Sequence, residues 1–216
     1  MQTALLVGAT GLVGGHVLEL LLQDAAYDTV IVLTRKSLNI NHPKLKEVII
    51  DFNRLNAFAD EINADVIFCC LGTTIKVAGS KEAFKKVDYE YPYQIAQVAK
   101  KNGSSKYLLV SALGANKNSM IFYNQVKGEL EDAISALNFD AFHVLQPSLI
   151  IGERTESRLG EGIAQKLSPV LDAIMIGGLK RYKSIKAEQI AKAMVYYSKL
   201  SDKGVFKHES DELQKV

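Results

Sequence analysis

The sequence predicts an α/β protein built on a doubly wound parallel sheet, with a small C-terminal lobe. Three observations lead to this fold class. The chain has 216 residues, which is enough for a single domain with a sizeable core. Short apolar runs of strand length alternate with segments in which apolar residues recur at helical spacing. A glycine-rich turn joins the first apolar run to the first helical segment.

Composition and charge exclude several classes of protein. Hydrophobic residues make up 48% of the chain and charged residues 23%, which is typical of a globular protein and not of a disordered chain or a coiled coil. A net charge of +2 gives no support to a nucleic-acid-binding surface. The longest wholly apolar run, Val66–Leu71, is too short to cross a membrane, and no secretory signal is recognisable. We therefore expect a cytoplasmic protein without membrane insertion.

Six strands are predicted, each an apolar run whose side chains would be buried on both faces of a sheet. They span Thr3–Val7, Thr29–Thr34, Val48–Ile50, Asp65–Leu71, Lys106–Val110 and Ala141–Gln146. Because helical segments separate them, the strands should run parallel in the order 3-2-1-4-5-6. The two adjacent cysteines, Cys69 and Cys70, fall in the fourth run, where packing is the favoured role and redox sensing the alternative.

Helices are predicted from apolar stripes at i, i+3 and i+4 spacing. The stripes cover Leu12–Leu22, Val87–Ala99 and Val126–Leu137. After Pro147 the pattern weakens, although Ile163–Ile176 and Ala187–Leu200 retain a helical character. We interpret the chain, residues 1–216, as one domain with a core over 1–147 and a small lobe over 148–216. The charged end of the chain is expected to fray.

The turn after the first strand carries glycines at positions 8, 11 and 14. Gly8 would let the chain turn off the strand, Gly11 would let backbone approach a pyrophosphate, and Gly14 would let helix and strand pack closely. Because the turn lies at the first strand–helix junction, it favours a dinucleotide-binding loop over an empty structural turn. The loop residues expected to contact the dinucleotide are Gly8, Thr10, Gly11, Leu12, Val13 and Gly14.

The end of the second strand indicates which dinucleotide is bound. An NAD site presents a carboxylate to the ribose there, whereas this chain presents Arg35 and Lys36, two cations that suit a 2′-phosphate. The sequence therefore predicts NADP as the cofactor of the core, with NADPH preferred over NADH. The alternative is a solvated pair of cations in a surface turn.

A candidate catalytic set lies further along the chain. Tyr123 and Lys127 are four residues apart and would share one face of a helix, where the ammonium group stabilises the phenolate form of the tyrosine. Ser111 follows the fifth strand at the carboxyl edge of the sheet, where its hydroxyl could donate to a substrate carbonyl. We expect Tyr123 to be the general acid–base, Lys127 its electrostatic partner and a ligand of the cofactor ribose, and Ser111 the residue that orients the carbonyl. Alone, the Tyr–Lys spacing would be an ordinary surface pair.

The sequence resembles an atypical or extended short-chain dehydrogenase/reductase and, more narrowly, the Tat-interacting-protein family of NADP(H)-binding proteins. The resemblance extends from the glycine turn to Ser148. Its motifs are GATG at 8–11, DF at 51–52, FCCLGTT at 68–74, VD at 87–88, QVKGE at 125–129 and QPS at 146–148. The fold that the resemblance implies is a Rossmann-type sheet.

The resemblance also implies further contacts with the cofactor. Asp51 and Phe52 would hold the adenine. The ribose side would be lined by Leu71, Gly72, Thr73 and Thr74, and the nicotinamide by Pro147, Ser148 and Leu149. The chain departs from the family at two places: Asp88 stands where such enzymes often carry a relay asparagine, and Gly15-His16 stands where the loop-end arginine is expected.

These observations favour an NADP(H)-dependent oxidoreductase that acts on a small carbonyl or alcohol substrate, held by the lobe over 148–216. One alternative is an NADP(H)-binding sensor or regulatory interaction protein without turnover. An epimerase is a further alternative, although its usual sugar-nucleotide substrate calls for a larger lobe. No metal site is predicted, because the histidines lack metal-ligand spacing. A protein partner or a homodimer is compatible with the sequence. Glu129, Glu131 and Asp132 are interpreted as a solvated helix face.

Overall fold

A seven-stranded parallel sheet forms the centre of the computed structural model, which describes residues 2–152, 175 and 177–216. Its strands are β1 (Gln2–Val7), β2 (Tyr27–Thr34), β3 (Leu45–Ile49), β4 (Val66–Cys69), β5 (Lys106–Val110), β6 (Ala141–Gln146) and β9 (Gly204–Glu209). The order across the sheet is β3-β2-β1-β4-β5-β6-β9, so the predicted order of the first six strands is confirmed, as is the Rossmann-type fold class. A separate parallel pair joins β7 (Ile150–Ile151) to β8 (Ile185–Lys186).

Helices connect the strands and cover both faces of the sheet. The α-helices are α1 (Leu12–Gln23), α2 (Ile75–Ala78), α3 (Lys81–Lys85), α4 (Tyr91–Lys101), α5 (Phe122–Ser135), α6 (Ala187–Ser198) and α7 (Ser210–Leu213). Two 3₁₀ segments span Phe52–Glu61 and Gly177–Tyr182, and a π-helix spans Lys86–Glu90. The predicted helix over Ile163–Ile176 lies outside the described residues.

Two hydrophobic layers hold the sheet, one on each face. In β1, Ala4 and Leu6 point into the layer shared with α1 and α6, whereas Leu5 and Val7 point into the layer shared with α4 and α5. This alternation explains why the strand sequences are continuously apolar, since side chains on both faces are buried. Both layers therefore fix the carboxyl ends of the strands, where the candidate site residues lie.

The segment after Pro147 contributes directly to the central sheet. β9 pairs in parallel with β6 from Ala141–Gly204 to Gln146–Glu209, and α6 belongs to the buried layer of α1. The pattern of apolar runs did not predict β9, because it is an edge strand in which three of six residues are polar and none is fully buried. His208 belongs to the charged end of the chain that the sequence predicts to fray. One of its ring nitrogens nevertheless lies 3.1 Å from a ring nitrogen of His143.

Candidate functional site

The glycine turn is a tightly packed loop at the carboxyl end of β1. Gly8 has a φ of +86°, and a Cβ there would lie 2.6 Å from the backbone of Cys70. A Cβ at Gly14 would lie only 2.1 Å from the carbonyl oxygen of Gly8. The turn is closed by the Gly11 N–H, which donates to that same oxygen at 2.9 Å. Residues larger than glycine therefore cannot occupy positions 8 and 14 without moving the loop.

The loop leaves the beginning of α1 open for an anion. Gly11 is the N-cap of α1 and supplies no side-chain hydrogen bond to the first turn, and both Thr10 and Gly11 are exposed. A helix N-terminus without a side-chain cap has backbone N–H groups that suit a diphosphate. Val13 is buried. Leu12 lies against Gly152, because a Cβ added at Gly152 would be 3.1 Å from the Leu12 side chain. The geometry fits a dinucleotide.

The residues expected around the adenosine half of the cofactor lie together beyond β2 and β3. The carboxylate of Asp51 accepts from the backbone N–H of Asn53 at 2.9 Å, and the Phe52 ring lies 5.3 Å from that of Tyr91. The Tyr91 hydroxyl donates to Asn53 Oδ1 at 2.9 Å. Burial raises the pKa of Tyr91, the negative charge of Asp51 adds to this effect, and the charge of Arg35 opposes it. The contacts with Phe52 and Asn53 bring Tyr91 to this part of the site, to which the sequence pattern did not assign it.

Arg35 and Lys36 are exposed in the turn that follows β2. The turn is stabilised by the Thr34 hydroxyl, which donates to the carbonyl oxygen of Lys36 at 2.8 Å. Within the part of the chain that the structure describes, neither cation has an ion-pair partner.

The clearest electrostatic feature of the site is a buried ion pair between Lys127 and Asp88. Lys127 Nζ lies 2.8 Å from Asp88 Oδ1, and the two side chains are 3% and 0% exposed. The other carboxylate oxygen of Asp88 accepts from the Thr73 N–H at 2.8 Å. A Cβ at Gly72 would lie 3.5 Å from Asp88 and 3.7 Å from Lys127 Nζ. The structure thus brings Lys127, Asp88 and the segment after β4 into one cluster.

Lys127 is charged within this cluster. Burial lowers the pKa of Lys127, but attraction to Asp88 and to Tyr123 outweighs that effect and raises the pKa above its usual value. Asp88 reaches Lys127 from the π-helix, a feature that often marks functional sites in helical segments. Leu71 packs beside the buried layer of this face, and the Thr74 hydroxyl accepts from the Val77 N–H and caps α2.

Tyr123 lies half-buried in the first turn of α5, one turn before Lys127. Its ring centre is 5.5 Å from that of Phe84, which is fully buried. Gly128 lets the loop before α5 approach the helix, because a Cβ there would lie 2.3 Å from the backbone of Asn116. Packing against Phe84 therefore orients the ring of Tyr123.

Ser111 has a different environment from the one expected. It is 4% exposed at the end of β5, and its hydroxyl donates to Glu131 Oε1 at 2.5 Å. Glu131 also accepts from Gln146 Nε2 at 2.9 Å and pairs with Lys207 Nζ at 2.8 Å. The carboxylate of Glu131 is therefore buried, and the prediction of a solvated face is wrong for this residue, although Glu129 and Asp132 do lie at the surface.

Pro147, Ser148 and Leu149 continue from β6 at the same edge of the sheet. The carbonyl oxygen of Pro147 accepts from the Leu113 N–H at 2.9 Å, and that of Leu149 accepts from the Ile185 N–H at 2.9 Å. The Ser148 hydroxyl lies 2.9 Å from that of Ser210. The Leu149 side chain is 41% exposed. Backbone bonds thus hold this loop while leaving Leu149 accessible.

The two cysteines are packed in the sheet without a disulfide. Burial raises the pKa of the Cys69 thiol, and burial together with the neighbouring Cys69 raises that of Cys70 well above its usual value. Thiols with raised pKa values are poor nucleophiles, which agrees with a packing role. Among the residues that the structure describes, no group of three or more His, Cys, Asp or Glu side chains could hold a metal ion, and no helix could span a membrane.

The fold and the glycine loop are those of an NAD(P)H-binding protein. The chain matches the family model described as NAD(P)H-binding over residues 8–162 and belongs to that family. It is 34% identical over 212 residues to the protein FMP52, mitochondrial, of Candida albicans, covering 95% of this chain and 92% of that protein. It is 35% identical over 169 residues to the protein HTATIP2 of Rattus norvegicus, covering 76% and 69% of the two chains. The chain is thus a member of the Tat-interacting-protein family.

Solved structures share the fold at low sequence identity. MoeE5 in complex with UDP-glucose and NAD superposes with a TM-score of 0.72 at 14% identity, covering 95% of this chain and 74% of that one. The UDP-glucose 4-epimerase of Thermotoga maritima has a TM-score of 0.72 at 17% identity, covering 99% and 80%. At these identities the likeness extends to the fold alone.

The cytoplasmic location expected from the sequence is wrong. The FMP52 relatives of Candida albicans, Aspergillus clavatus and Debaryomyces hansenii are all named mitochondrial. The expectation depended on the lack of a secretory signal and of a membrane span, and neither criterion bears on import into mitochondria.

Proposed function

We propose that the protein is an NADP(H)-dependent oxidoreductase that reduces a small carbonyl compound or oxidises the corresponding alcohol. The observation that carries the proposal is the buried Lys127–Asp88 pair, with Tyr123 one helical turn before Lys127 on α5. An acid–base tyrosine needs a nearby cation that remains protonated, and Asp88 keeps Lys127 in that form. The names of the FMP52 relatives favour a mitochondrial location for this activity.

Each residue would have a distinct role in the reaction. Tyr123 would transfer the proton at the substrate oxygen through its hydroxyl, and the ammonium group of Lys127 would stabilise the phenolate and hold the cofactor ribose. The nicotinamide supplies or accepts the hydride when the cofactor is bound. Asp88 would hold Lys127 rather than relay a proton, since its two carboxylate oxygens already meet Lys127 and the Thr73 N–H.

The glycine loop and the strand ends would bind the cofactor along the edge of the sheet. The open N-terminus of α1 suits the diphosphate, and the exposed Arg35 and Lys36 favour NADP over NAD because they can pair with a 2′-phosphate. Asp51 and Phe52 would contact the adenine, and Gly72–Thr74 the ribose beside Lys127. The loop Pro147–Leu149 would contact the nicotinamide.

A second candidate function is a cofactor-binding sensor without turnover. It is favoured by Ser111, because this hydroxyl has a single proton and donates it to Glu131 rather than facing a substrate. In the oxidoreductase, Ser111 would orient the substrate carbonyl only after that hydrogen bond rearranges. The two candidates differ in turnover and agree in cofactor binding.

The test combines a panel of small aldehydes and ketones with the variant Tyr123→Phe. NADPH consumption should be detected for at least one substrate, and the variant should lower its turnover by about two to four orders of magnitude while NADPH affinity changes little. Tyr196→Phe, at a tyrosine half-exposed on α6, is the matched control and should keep full turnover. Unchanged turnover in Tyr123→Phe would exclude this residue as the acid, and tight NADPH binding without turnover of any substrate would favour the sensor.

A further inference from the structure

The buried carboxylate of Glu131, which is not part of the proposed Tyr123–Lys127 pair, joins three strands of the sheet to α5. Glu131 is 1% exposed and takes hydrogen bonds from Ser111 at 2.5 Å and Gln146 at 2.9 Å, besides its ion pair with Lys207 at 2.8 Å. We call these four residues the Glu131 network. A buried carboxylate with several donors is held in one orientation, because losing any donor leaves charge poorly solvated.

The Glu131 network lies toward the β9 edge of the sheet, whereas the adenosine residues lie toward the β3 edge. Ser111 follows β5, Gln146 ends β6 and Lys207 lies in β9, whereas Arg35 and Asp51 follow β2 and β3. In the order β3-β2-β1-β4-β5-β6-β9, β1 and β4 separate these two groups. A dinucleotide bound across the carboxyl edge would therefore place its adenosine half near β2 and β3 and its nicotinamide half near β5 and β6.

The network also lies on the helix face that carries the proposed catalytic pair. Glu131 follows Lys127 by four residues and Tyr123 by eight, so that the three side chains project from the same face of α5 at successive turns. A hydrogen bond from Ser111 and one from Gln146 thus tie the ends of β5 and β6 to the helix whose first turn carries Tyr123. A shift of α5 against these strand ends would break them.

We propose that Glu131 is a positioning residue for the nicotinamide half of the site. Resting on the proposed function, the role assigned to Glu131 is to hold the ends of β5 and β6 against α5 while the cofactor binds, before the Ser111 hydroxyl turns to a substrate carbonyl. In this way the loop after Gln146 and the Tyr123–Lys127 pair keep one spacing. Glu131 touches neither cofactor nor substrate in this role. Its effect should therefore appear in the binding of the nicotinamide half and not in that of the adenosine half.

The experiment compares two probes of the full-length protein, NADPH and adenosine 2′,5′-bisphosphate, which lacks the nicotinamide half. In Glu131→Gln, which keeps the shape of the side chain and removes its charge, NADPH should bind about tenfold more weakly while the bisphosphate binds as in the native protein. Ser111→Ala should change the ratio of the two affinities in the same direction. Combining the two changes should cost less than the sum of the separate losses, because both residues belong to the Glu131 network.

Glu129→Gln is the matched control. It makes the same chemical change on the same helix, but Glu129 is partly exposed and pairs with Lys85 instead of joining the Glu131 network. It should leave both affinities unchanged. An equal loss for both probes in Glu131→Gln, or no loss for either, would overturn the positioning role; Ser111→Ala decides in the same way should Glu131→Gln fail to fold. If the native protein binds neither probe, the proposed function itself fails. If the native protein binds both probes and Glu131→Gln binds them equally well, only the positioning role fails.

Discussion

Asp88→Asn tests the buried ion pair that carries the proposed function. Asparagine keeps an oxygen for the Thr73 N–H, so the change removes the charge of Asp88 and little else. Charges 2.8 Å apart attract by about 6 kcal/mol at an effective dielectric constant of about 20. Part of this attraction offsets the cost of burying both groups, and removal of one partner from a buried pair typically costs about 3–5 kcal/mol. We expect a loss of that size in the free energy of unfolding.

The expected loss arises from the lysine that remains. Lys127 is 3% exposed, and burial alone lowers its pKa. Without Asp88, the ammonium group must either remain charged in a poorly solvated position or lose its proton, and both changes disfavour the folded state. The double variant Asp88→Asn/Lys127→Met should recover much of the stability, because it removes the unpaired charge.

Urea denaturation followed by circular dichroism measures the effect. The matched control is Asp132→Asn, which breaks a pair of the same 2.8 Å length between Lys117 and Asp132 at the surface, where the side chains are 59% and 49% exposed. That change should cost less than about 1 kcal/mol. If Asp88→Asn costs no more than Asp132→Asn, or if the double variant is less stable than Asp88→Asn, the buried pair does not hold Lys127 as argued.

Three further predictions concern the glycine loop, the choice of cofactor and the response to pH. Gly14→Ala should lower the free energy of unfolding by about 1–3 kcal/mol and weaken NADPH binding, since its Cβ would lie 2.1 Å from the carbonyl oxygen of Gly8. Gly15→Ala should be tolerated, because its Cβ would lie 3.6 Å from the carbonyl oxygen of Ala9, and equal losses of stability in denaturation would contradict this. Arg35→Asp should weaken NADPH about tenfold or more relative to NADH in a fluorescence titration, and equal dissociation constants for the two cofactors in the native protein would refute the preference. Burial lowers the pKa of His143 to about 4, so the unfolded chain binds this proton more tightly. Stability contributed by the neutral ring should be complete above pH 6.5 and fall by about 3 kcal/mol as the pH drops to 4, and urea denaturation of His143→Gln should show a flatter profile than the native protein.

The parts of the fold that the sequence predicted are those in which local pattern and burial agree. The inner strands β1, β2, β4, β5 and β6 are largely apolar because both faces of the sheet are covered there, and the glycine turn is recognisable because Gly8 and Gly14 have no room for a side chain. β9 carries no such pattern, because an edge strand needs only a partly buried face. Its pairing with β6 depends on contacts between distant parts of the chain.

The candidate site was predicted less completely, since burial of its charges depends on tertiary contacts. Glu131 lies in a run of acidic residues that reads as a solvated helix face, and only the approach of Gln146 and Lys207 from other strands buries it. Asp88 was noticed as a departure from the family, but its contact with Lys127 depends on the register of the π-helix. Neither contact has a signature in local sequence.

The charges on α5 show why spacing alone assigns such partners wrongly. Lys127 and Glu131 are four residues apart and could form a surface pair along the helix, although a lysine that precedes the glutamate is the weaker arrangement. Instead, Lys127 pairs with Asp88 at 2.8 Å, and Glu131 pairs with Lys207 at 2.8 Å. Each charge is therefore balanced by a different part of the fold. Because the Lys127 ammonium group is balanced by Asp88, its charge does not depend on the charge of Glu131, and the proton transfer proposed for Tyr123 is in that respect independent of the Glu131 network.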